Sequence, residues 1–303
     1  MTIDYTMDKL DVNILRELIY DCRASYRQIG SSVGLTTNSV KTRINKLLSN
    51  EIIRQFSLSI NLSILGYSSI FYIFIKKIKS SEKIIYRLKQ MGKLIVEVYG
   101  IGGSLMMGIA IMEEEKGEEI QKLVKNIQPL VIQNLFIAQT FPLKMSIKKI
   151  DFKIIKCLLS NPRMPIYEIS KKVSRSSKTV SKRLADMKEN RILTFIVATD
   201  PLKMKGYLRC SIFIQLNKNY VQRTIRFIQD ILERNLVISI PMIYYNDLID
   251  YQIITNNIFE INQSLEEIQS LNDVKSAEVF IPHKAVIKRD WIMSEINKKI
   301  EII

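Results

Sequence analysis

Polar and basic side chains suited to contacting nucleic acid recur in two stretches of the chain that lie far apart in sequence. Asn and Thr side chains can hydrogen-bond to the edges of base pairs, whereas Lys and Arg suit backbone phosphates. The candidates are Thr36, Thr37, Asn38, Lys41, Thr42, Asn45 and Lys46 in the first stretch, and Arg175, Ser176, Ser177, Lys178, Ser181, Lys182, Arg183 and Lys188 in the second. We therefore expect both stretches to contact double-stranded DNA.

Residues that could bind a metal or act as catalysts are scarce. Cys22, Cys157 and Cys210 lie far apart without a CxxC pair, and His283 is the single histidine. This set fits neither a zinc site nor a disulfide framework, and one imidazole leaves little for acid–base chemistry. The glycines that follow Gly100 lack the third glycine and the helix start of a dinucleotide-binding loop. We expect no metal, no cofactor and no enzymatic activity.

Length and charge set the broad class of the protein. A chain of 303 residues that is 47% hydrophobic can form two or more domains, each with its own core. Lys and Arg number 45 against 30 Asp and Glu, and the resulting net charge of +15 favours a polyanionic partner. The N-terminus lacks an apolar run behind a basic start, so we expect no secretory signal and, by default, a cytoplasmic location.

One apolar stretch, from Leu94 to Met112, is long enough to be considered as a membrane span. Gly100, Gly102 and Gly103 divide it into two strand-length halves rich in Val, Ile and Met. That pattern predicts a buried β-hairpin, with a membrane helix as the alternative.

The chain contains an internal repeat. A shift of 140 positions aligns LDVNILRELIYDCRASYRQIGSSV, from Leu10, with IDFKIIKCLLSNPRMPIYEISKKV, from Ile150, without a gap. Helical periodicity alone would match apolar positions but not charged or special ones, so duplication is the better explanation. The matched residues include Asp11 with Asp151, Arg23 with Arg163, Arg43 with Arg183, Asn50 with Asn190, and Gly66-Tyr67 with Gly206-Tyr207.

Each copy opens with the pattern of three short helices. In the third helix Val40, Ile44 and Leu47 fall on one face, so Asn38 and Thr42 point the opposite way. The counterparts of these two outward residues are Lys178 and Lys182 in the second copy. Three short helices with a polar, outward third helix are typical of a helix-turn-helix, whose last helix can enter a major groove. A merely solvated helix face is the alternative.

The two copies differ in charge. Residues 1–60 carry eight Lys and Arg and six Asp and Glu, whereas residues 146–205 carry fifteen and five, which gives +2 against +10. We therefore expect the second copy to dominate phosphate contacts. The first copy either binds DNA weakly or binds a protein instead.

These residues resemble the Lrp/AsnC (feast/famine) family of transcription regulators. The resemblance covers nearly the whole chain and is closest from Leu10 to Tyr67, through the helix-turn-helix, a hinge strand and the Gly-Tyr that opens the effector domain. The second copy keeps TVSKRLADMKENRILTFIVATDPLKMKGY, with Pro201 and Gly206-Tyr207 in the places the family commonly uses. A tandem chain departs from the family, most of whose members carry one unit.

The resemblance implies an α+β fold in which two winged-type helix-turn-helix domains are each followed by a ferredoxin-like βαββαβ domain. The strand and helix patterns of the sequence support this order independently. The predicted limits are 1–60 and 146–200 for the helix-turn-helix domains, 61–145 and 201–285 for the ferredoxin-like domains, and 286–303 for a C-terminal amphipathic helix. For that helix we expect packing on its own sheet, with dimerisation or membrane contact as alternatives.

The family's ferredoxin-like domains pair face to face and bind small effectors, often amino acids, near the hairpin. Each half of this chain keeps only part of the family's pattern of a glycine three residues before an aspartate, so loss of sensing is an open alternative. The resemblance assigns the effector site to Gly100, Gly102, Gly103, Ser104 and Asp247. It also implies a homo-oligomer or an intramolecular pseudo-dimer with two unequal recognition helices, and no membrane partner.

Two other functions compete with specific regulation. One is a chromatin-like protein that coats DNA without sequence preference, since Lys178 and Lys182 suit phosphates at least as well as bases. The other is an enzyme, because a minority of proteins with this architecture resemble sirohaem decarboxylases. Those enzymes rely on several histidines, and His283 alone does not match them.

Overall fold

Helices and strands follow one another in two similar series along the chain. The computed structural model describes residues 5–79, 81–127, 131–217, 222–235, 238–245, 248–288 and 290–302. The first series is α1 (Lys9–Tyr20), α2 (Tyr26–Val33), α3 (Thr37–Ser49), β1 (Ile53–Ile60), β2 (Ser69–Ile75), α4 (Glu82–Gln90), β3 (Lys93–Gly100), β4 (Leu105–Ile111), α5 (Glu114–Ile127) and β5 (Ile132–Gln139). The second is α6 (Lys149–Ser160), α7 (Ile166–Val173), α8 (Ser177–Glu189), β6 (Leu193–Thr199), β7 (Leu208–Leu216), α9 (Gln222–Asn235), β8 (Ile238–Tyr245), β9 (Leu248–Thr255), α10 (Ile258–Gln269), β10 (Val274–Phe280), β11 (Pro282–Ile287) and α11 (Asp290–Ile302).

We call α1 to α3 with β1 the first module, and α6 to α8 with β6 the second module. Polar caps set the helix starts: the side chains of Asp8, Ser25 and Thr36 each accept a hydrogen bond from a backbone N–H in the first turn of the helix that follows. The turn between α2 and α3 needs a left-handed residue, which is Gly34 at φ 72° in the first module and Ser174 at φ 52° in the second. Both modules therefore keep one geometry despite this substitution.

We call β2 to β5, with α4 and α5, the first sheet domain and β7 to β10, with α9 and α10, the second. Their strands are ordered β3-β4-β2-β5 and β8-β9-β7-β10, all antiparallel, which is the ferredoxin-like arrangement predicted from the sequence. The stretch from Leu94 to Met112 forms β3 and β4, as the glycines indicated. None of the helices in the described ranges combines the length and apolar character that a membrane crossing requires.

The C-terminal segment differs from the prediction. A strand, β11, spans the expected limit between residues 285 and 286 and pairs antiparallel with β3 of the first sheet domain, which thereby gains a fifth strand. The helix that follows, α11, packs against α6 of the second module, so the expectation that it packs on its own sheet was wrong. The Trp291 ring lies 5.4 Å from that of Tyr67, and its indole N–H donates to the Leu94 carbonyl over 3.1 Å. Main-chain pairing with a distant strand edge explains the difference.

The two series pair with each other inside one chain. Strands β1 and β6 form a two-stranded antiparallel ribbon that joins the modules, with Ile60 opposite Leu193 and Phe56 opposite Val197. One continuous buried core extends through both modules to the facing sides of the two sheets, while separate cores fill the space between each sheet and its own helices. The protein is thus an intramolecular pseudo-dimer.

Aromatic rings fill the contact between the two sheets. Phe74 of the first sheet domain lies 4.8 Å from Phe213 of the second, and Phe136 stacks on Phe213 at 5.9 Å. Phe280 completes the cluster at 5.6 Å from Phe74. Aromatic pairs in these geometries contribute about 1 kcal/mol each beyond the area that they bury.

Candidate nucleic-acid interface

The outward face of α3 is polar and open to solvent. Val40, Ile44 and Leu47 are fully buried, and the helix geometry turns the remaining face away from the core. Seven predicted residues are all exposed on or just ahead of this helix: Thr36, Thr37, Asn38, Lys41, Thr42, Asn45 and Lys46. The Thr36 hydroxyl accepts from the Ser39 N–H over 3.1 Å, so its first role is to cap the helix.

The outward face of α8 is also exposed and more basic at its start. Val180 and Met187 are fully buried and Leu184 nearly so. The exposed predicted residues are Arg175, Ser176, Ser177, Lys178, Ser181, Lys182 and Lys188. Ser176 caps this helix as Thr36 caps α3, through a 3.1 Å bond from the Thr179 N–H. The two modules therefore present equivalent faces with different side chains.

Arg183 does not belong to the open face. Its guanidinium donates to both carboxylate oxygens of the fully buried Asp151, with an Nε to Oδ1 distance of 2.7 Å, and to the Ser146 carbonyl over 3.2 Å. The hydrogen bonds and charge of Asp151 raise the pKa of Arg183 further. Arg183 therefore ties α8 to α6, and we remove it from the proposed DNA contacts because its Nε and Nη2 donors are already used.

The first module holds the equivalent pair with one more acid. Arg43 Nη1 lies 2.8 Å from Asp11 and 2.9 Å from Asp8, and the Tyr5 hydroxyl donates to Asp11 over 2.6 Å. Burial disfavours ionisation of Asp8, but the Asp11 backbone N–H and the Arg43 guanidinium outweigh it and lower the pKa of Asp8. Asp8 is thus held as a carboxylate beside α3.

Lys188 is exposed but ion-paired across the modules. Its ammonium lies 2.6 Å from Asp21 at the end of α1 and 5.7 Å from the Phe195 ring centroid. Since a surface ion pair of this kind contributes only about 0.2–1 kcal/mol, the contact orients Lys188 without holding it strongly.

Two arginines that sequence reasoning matched but assigned no role join the modules. Arg23 donates to the carbonyls of Pro162 and Met164 over 2.6 and 3.0 Å. Arg163 donates to the carbonyls of Cys22 and Ala24 over 2.5 and 3.3 Å. The one signal in the sequence was that the repeat keeps an arginine at this position in both copies.

The residues assigned to an effector lie at the turn between β3 and β4. Gly102 and Gly103 adopt left-handed conformations at φ 70° and 77°, and the Ser104 hydroxyl donates to the Ile101 carbonyl over 3.0 Å. Gly100 is buried against the Phe280 ring. The structure brings these residues together at one turn, whereas Asp247 lies outside the described residues.

A buried polar cluster in the second sheet domain was not anticipated. Ile249 and Tyr251 of β9 face the helices, so Asp250 between them faces the first sheet domain. Gln252 donates to Asp250 over 2.6 Å and to Ser211 over 2.7 Å. Burial raises the pKa of Asp250 to about 7, although hydrogen bonds from Gln252 and Ser211 and the charge of Arg209 oppose the rise.

The chemistry available elsewhere is limited. In the described ranges, no group of three or more His, Cys, Asp or Glu side chains is arranged to hold a metal ion. The imidazole of His283 lies on β11 with its ring 6.5 Å from that of Tyr99.

Known proteins resemble this chain in the same regions. An AsnC-type helix-turn-helix domain model matches residues 7–48, and a winged helix-turn-helix DNA-binding model matches residues 147–194. The chain is 35% identical over 132 residues to the HTH-type transcriptional regulator Ptr1 of Methanocaldococcus jannaschii. The matched region covers 42% of this chain and 86% of that protein. The chain belongs to the Lrp/AsnC family. Another relative of this Lrp/AsnC protein is the regulatory protein AsnC of Haemophilus influenzae, 28% identical over 126 residues, with 41% of this chain and 83% of that protein covered.

A solved structure matches both units of this Lrp/AsnC chain at once. The siroheme decarboxylase NirDL has a TM-score of 0.50 and 13% identity, with 97% of this chain and all of that chain covered. At this identity the likeness shows the fold alone. The tandem arrangement of two helix-turn-helix units and two sheet domains is therefore shared with another protein.

Proposed function

We propose that this chain is a transcription regulator of the Lrp/AsnC type that binds duplex DNA through both modules at once. The observation that carries this proposal is the exposure of equivalent polar faces on α3 and α8, opposite buried apolar faces. Asn38, Thr42 and Asn45 suit base edges, and Lys178 and Lys182 suit phosphates and guanine. Because its site is chromosomal DNA, we place its action in the cytoplasm.

A gel-shift titration at fixed salt tests the proposal. The probes are a duplex from the promoter of the chain's own gene and a random duplex of equal length. We expect tighter binding to the promoter, and a larger loss of binding from Lys178→Ala with Lys182→Ala than from Asn38→Ala with Thr42→Ala. Equal affinity for both duplexes would favour a DNA-coating protein, which the basic second module also supports. Equal losses from the two double variants would contradict the dominance of the second module.

The unequal faces lead us to propose an asymmetric operator. Each half-site would meet a different set of side chains, Asn38 and Thr42 in one and Lys178 and Lys182 in the other. A footprint that protects two half-sites of different sequence is the expected result. Two equivalent half-sites would argue against it.

We also propose that the chain acts by binding and not by catalysis. Its sequence contains a single histidine, His283, which the structure places on a strand beside Tyr99. Titration with sirohaem should leave the Soret band of the free pigment unchanged, and a shifted band would reopen the enzyme alternative.

For an effector, we propose a small molecule such as an amino acid at the turn that contains Gly102 and Gly103, tested by melting the protein in the presence of each amino acid.

A further inference from the structure

The two modules carry opposite charges at equivalent positions beside the recognition face. In the first module Asp8 precedes α1, and Lys148 occupies the same place before α6 in the second. On the third helix the charges are also exchanged, but in the opposite sense: Lys46 of α3 corresponds to Asp186 of α8. The first module is therefore acidic before its first helix and basic on its third helix, and the second module is the reverse.

In the first module, Asp8 and Lys46 line the same cleft. A cleft of about 450 Å³ lies between the segment before α1 and the outward face of α3, and its lining includes Asp8, Asn38, Thr42 and Lys46. The Asp8 side chain is 51% exposed while it accepts from Arg43 over 2.9 and 3.0 Å. A carboxylate thus faces the same space as the residues proposed to meet DNA.

In the second module the segment before α6 and the helix α8 are arranged in the same way, with the two charges exchanged. Arg183 contacts the segment before α6 through the Ser146 carbonyl, and its Nη1 lies 4.0 Å from Asp186. Lys148 is exposed in that segment, where its backbone N–H donates to the Asp151 carboxylate over 2.7 Å and its carbonyl accepts from the Asp151 N–H over 2.8 Å. The exposed Lys148 side chain thus places an ammonium group at the position where the first module has the Asp8 carboxylate.

We infer that each module holds a DNA phosphate between the segment before its first helix and its third helix, but from opposite sides. Lys46 of the third helix supplies the cation in the first module, and Lys148 ahead of the first helix supplies it in the second. Asp8 and Asp186 repel a phosphate from the other side in each case. The two modules thus contact the DNA backbone at different points, which makes Lys148 a DNA-contacting residue outside the recognition helix.

This inference rests on the proposed DNA binding, and the salt dependence of that binding tests it. Each lost phosphate contact should reduce the slope of log K against log salt by about one. We expect that reduction for Lys148→Ala and for Lys46→Ala in the full-length chain with its promoter duplex. Lys125→Ala, an exposed lysine on α5 of the first sheet domain, makes the same change in net charge and should leave the slope unchanged.

The opposite substitutions test the acidic side. Asp8→Lys should increase the slope of log K against log salt by about one. Asp8→Asn keeps a good helix cap and removes the repulsion, so it should increase the affinity without adding a phosphate contact. Because Asp8 also binds Arg43, melting temperatures must show that each variant folds. If Asp8→Lys does not fold, Lys148→Asp supplies the complementary test, with a reduced slope expected.

The outcomes separate this inference from the function on which it rests. Equal slopes for Lys148→Ala and the wild type would overturn the inference, while loss of binding in Lys178→Ala with Lys182→Ala would leave the proposed function standing. Equal changes from Lys148→Ala and Lys125→Ala would also overturn it, since net charge alone would then explain the effect. A wild-type chain that binds no duplex would overturn both.

Discussion

Arg23 and Arg163, equivalent residues 140 positions apart, each donate hydrogen bonds to backbone carbonyls of the other's module. Arg23 also lies over the Phe195 ring at 5.3 Å, and Arg163 over the Phe56 ring at 4.9 Å. Both rings belong to the β1–β6 ribbon, so each arginine links a turn of the opposite module to the ribbon. The exchange fixes the two recognition helices relative to each other.

Replacing either arginine should therefore destabilise the pair of modules. A hydrogen bond to a charged donor contributes about 1.5–3 kcal/mol, and we expect Arg23→Ala or Arg163→Ala to lower the free energy of unfolding by roughly 2 kcal/mol or more. Lysine should not restore the loss at position 163, because it lacks the planar fork with which Arg163 Nη1 and Nη2 reach two carbonyls. Urea unfolding measures the change, and Arg87→Ala, at an exposed position on α4, is the control. A loss no larger than that of the control would contradict this role.

Arg183 and its neighbour Lys182 should separate stability from DNA binding. Arg183→Ala leaves the buried Asp151 without its partner and should lower the free energy of unfolding by about 3–5 kcal/mol. Lys182→Ala changes an exposed residue on the same helix and should weaken DNA binding with little change in stability. Thermal unfolding and a gel shift on both variants check the pair. A stable Arg183→Ala chain with weak DNA binding would return Arg183 to the contact set.

Asp250 should make stability depend on pH. Its pKa is about 7 in the folded protein and about 4 in an unfolded chain, so the folded state binds the additional proton between these values. The contribution of this group to stability is therefore fully present below about pH 4, is lost between pH 4 and 7 at about 1.4 kcal/mol per pH unit at most, and levels off above pH 7. Asp250→Asn should flatten this dependence in urea unfolding between pH 5 and 8. Glu115→Gln, at an exposed position, should leave the dependence in place, and an unchanged profile in Asp250→Asn would refute the assignment.

Trp291 should report the docking of the C-terminal segment. It is the single tryptophan, and its indole N–H and ring contact the first sheet domain through Leu94 and Tyr67. Trp291→Phe keeps a ring and loses the hydrogen bond, so we expect a loss of about 1 kcal/mol, and a larger loss from Trp291→Ala. The emission maximum of the wild type should shift to the red in the same urea range in which β11 separates from β3. A red-shifted maximum in the folded protein would show that the segment is not docked.

Local pattern and the repeat were enough to predict most of the fold. The inward face formed by Val40, Ile44 and Leu47 and the hairpin glycines act within a few residues, so their effect is visible in sequence. Strand β11 could not be predicted in this way, because its partner β3 lies about 190 residues earlier and a short polar strand carries no sign of which edge it joins.

The candidate site was predicted less completely. Helix geometry distinguishes the outward from the inward face, and it correctly left Asn38 and Lys178 exposed. It could not show that Arg183 turns back to Asp151, because a long side chain reaches either way from the boundary of a face. Asp250 was missed because the residues around it in β9 are apolar on both faces of the strand, so their pattern does not show which face Asp250 lies on.

The ribbon of β1 and β6 has a consequence for how the regulator responds to its abundance in the cell. Two separate subunits must meet before they can occupy paired half-sites, so their occupancy falls steeply when few copies are present. Here the meeting has already occurred within one polypeptide, and occupancy should follow copy number in simple proportion. Each half is also free to diverge, because a substitution in one is no longer repeated in the other.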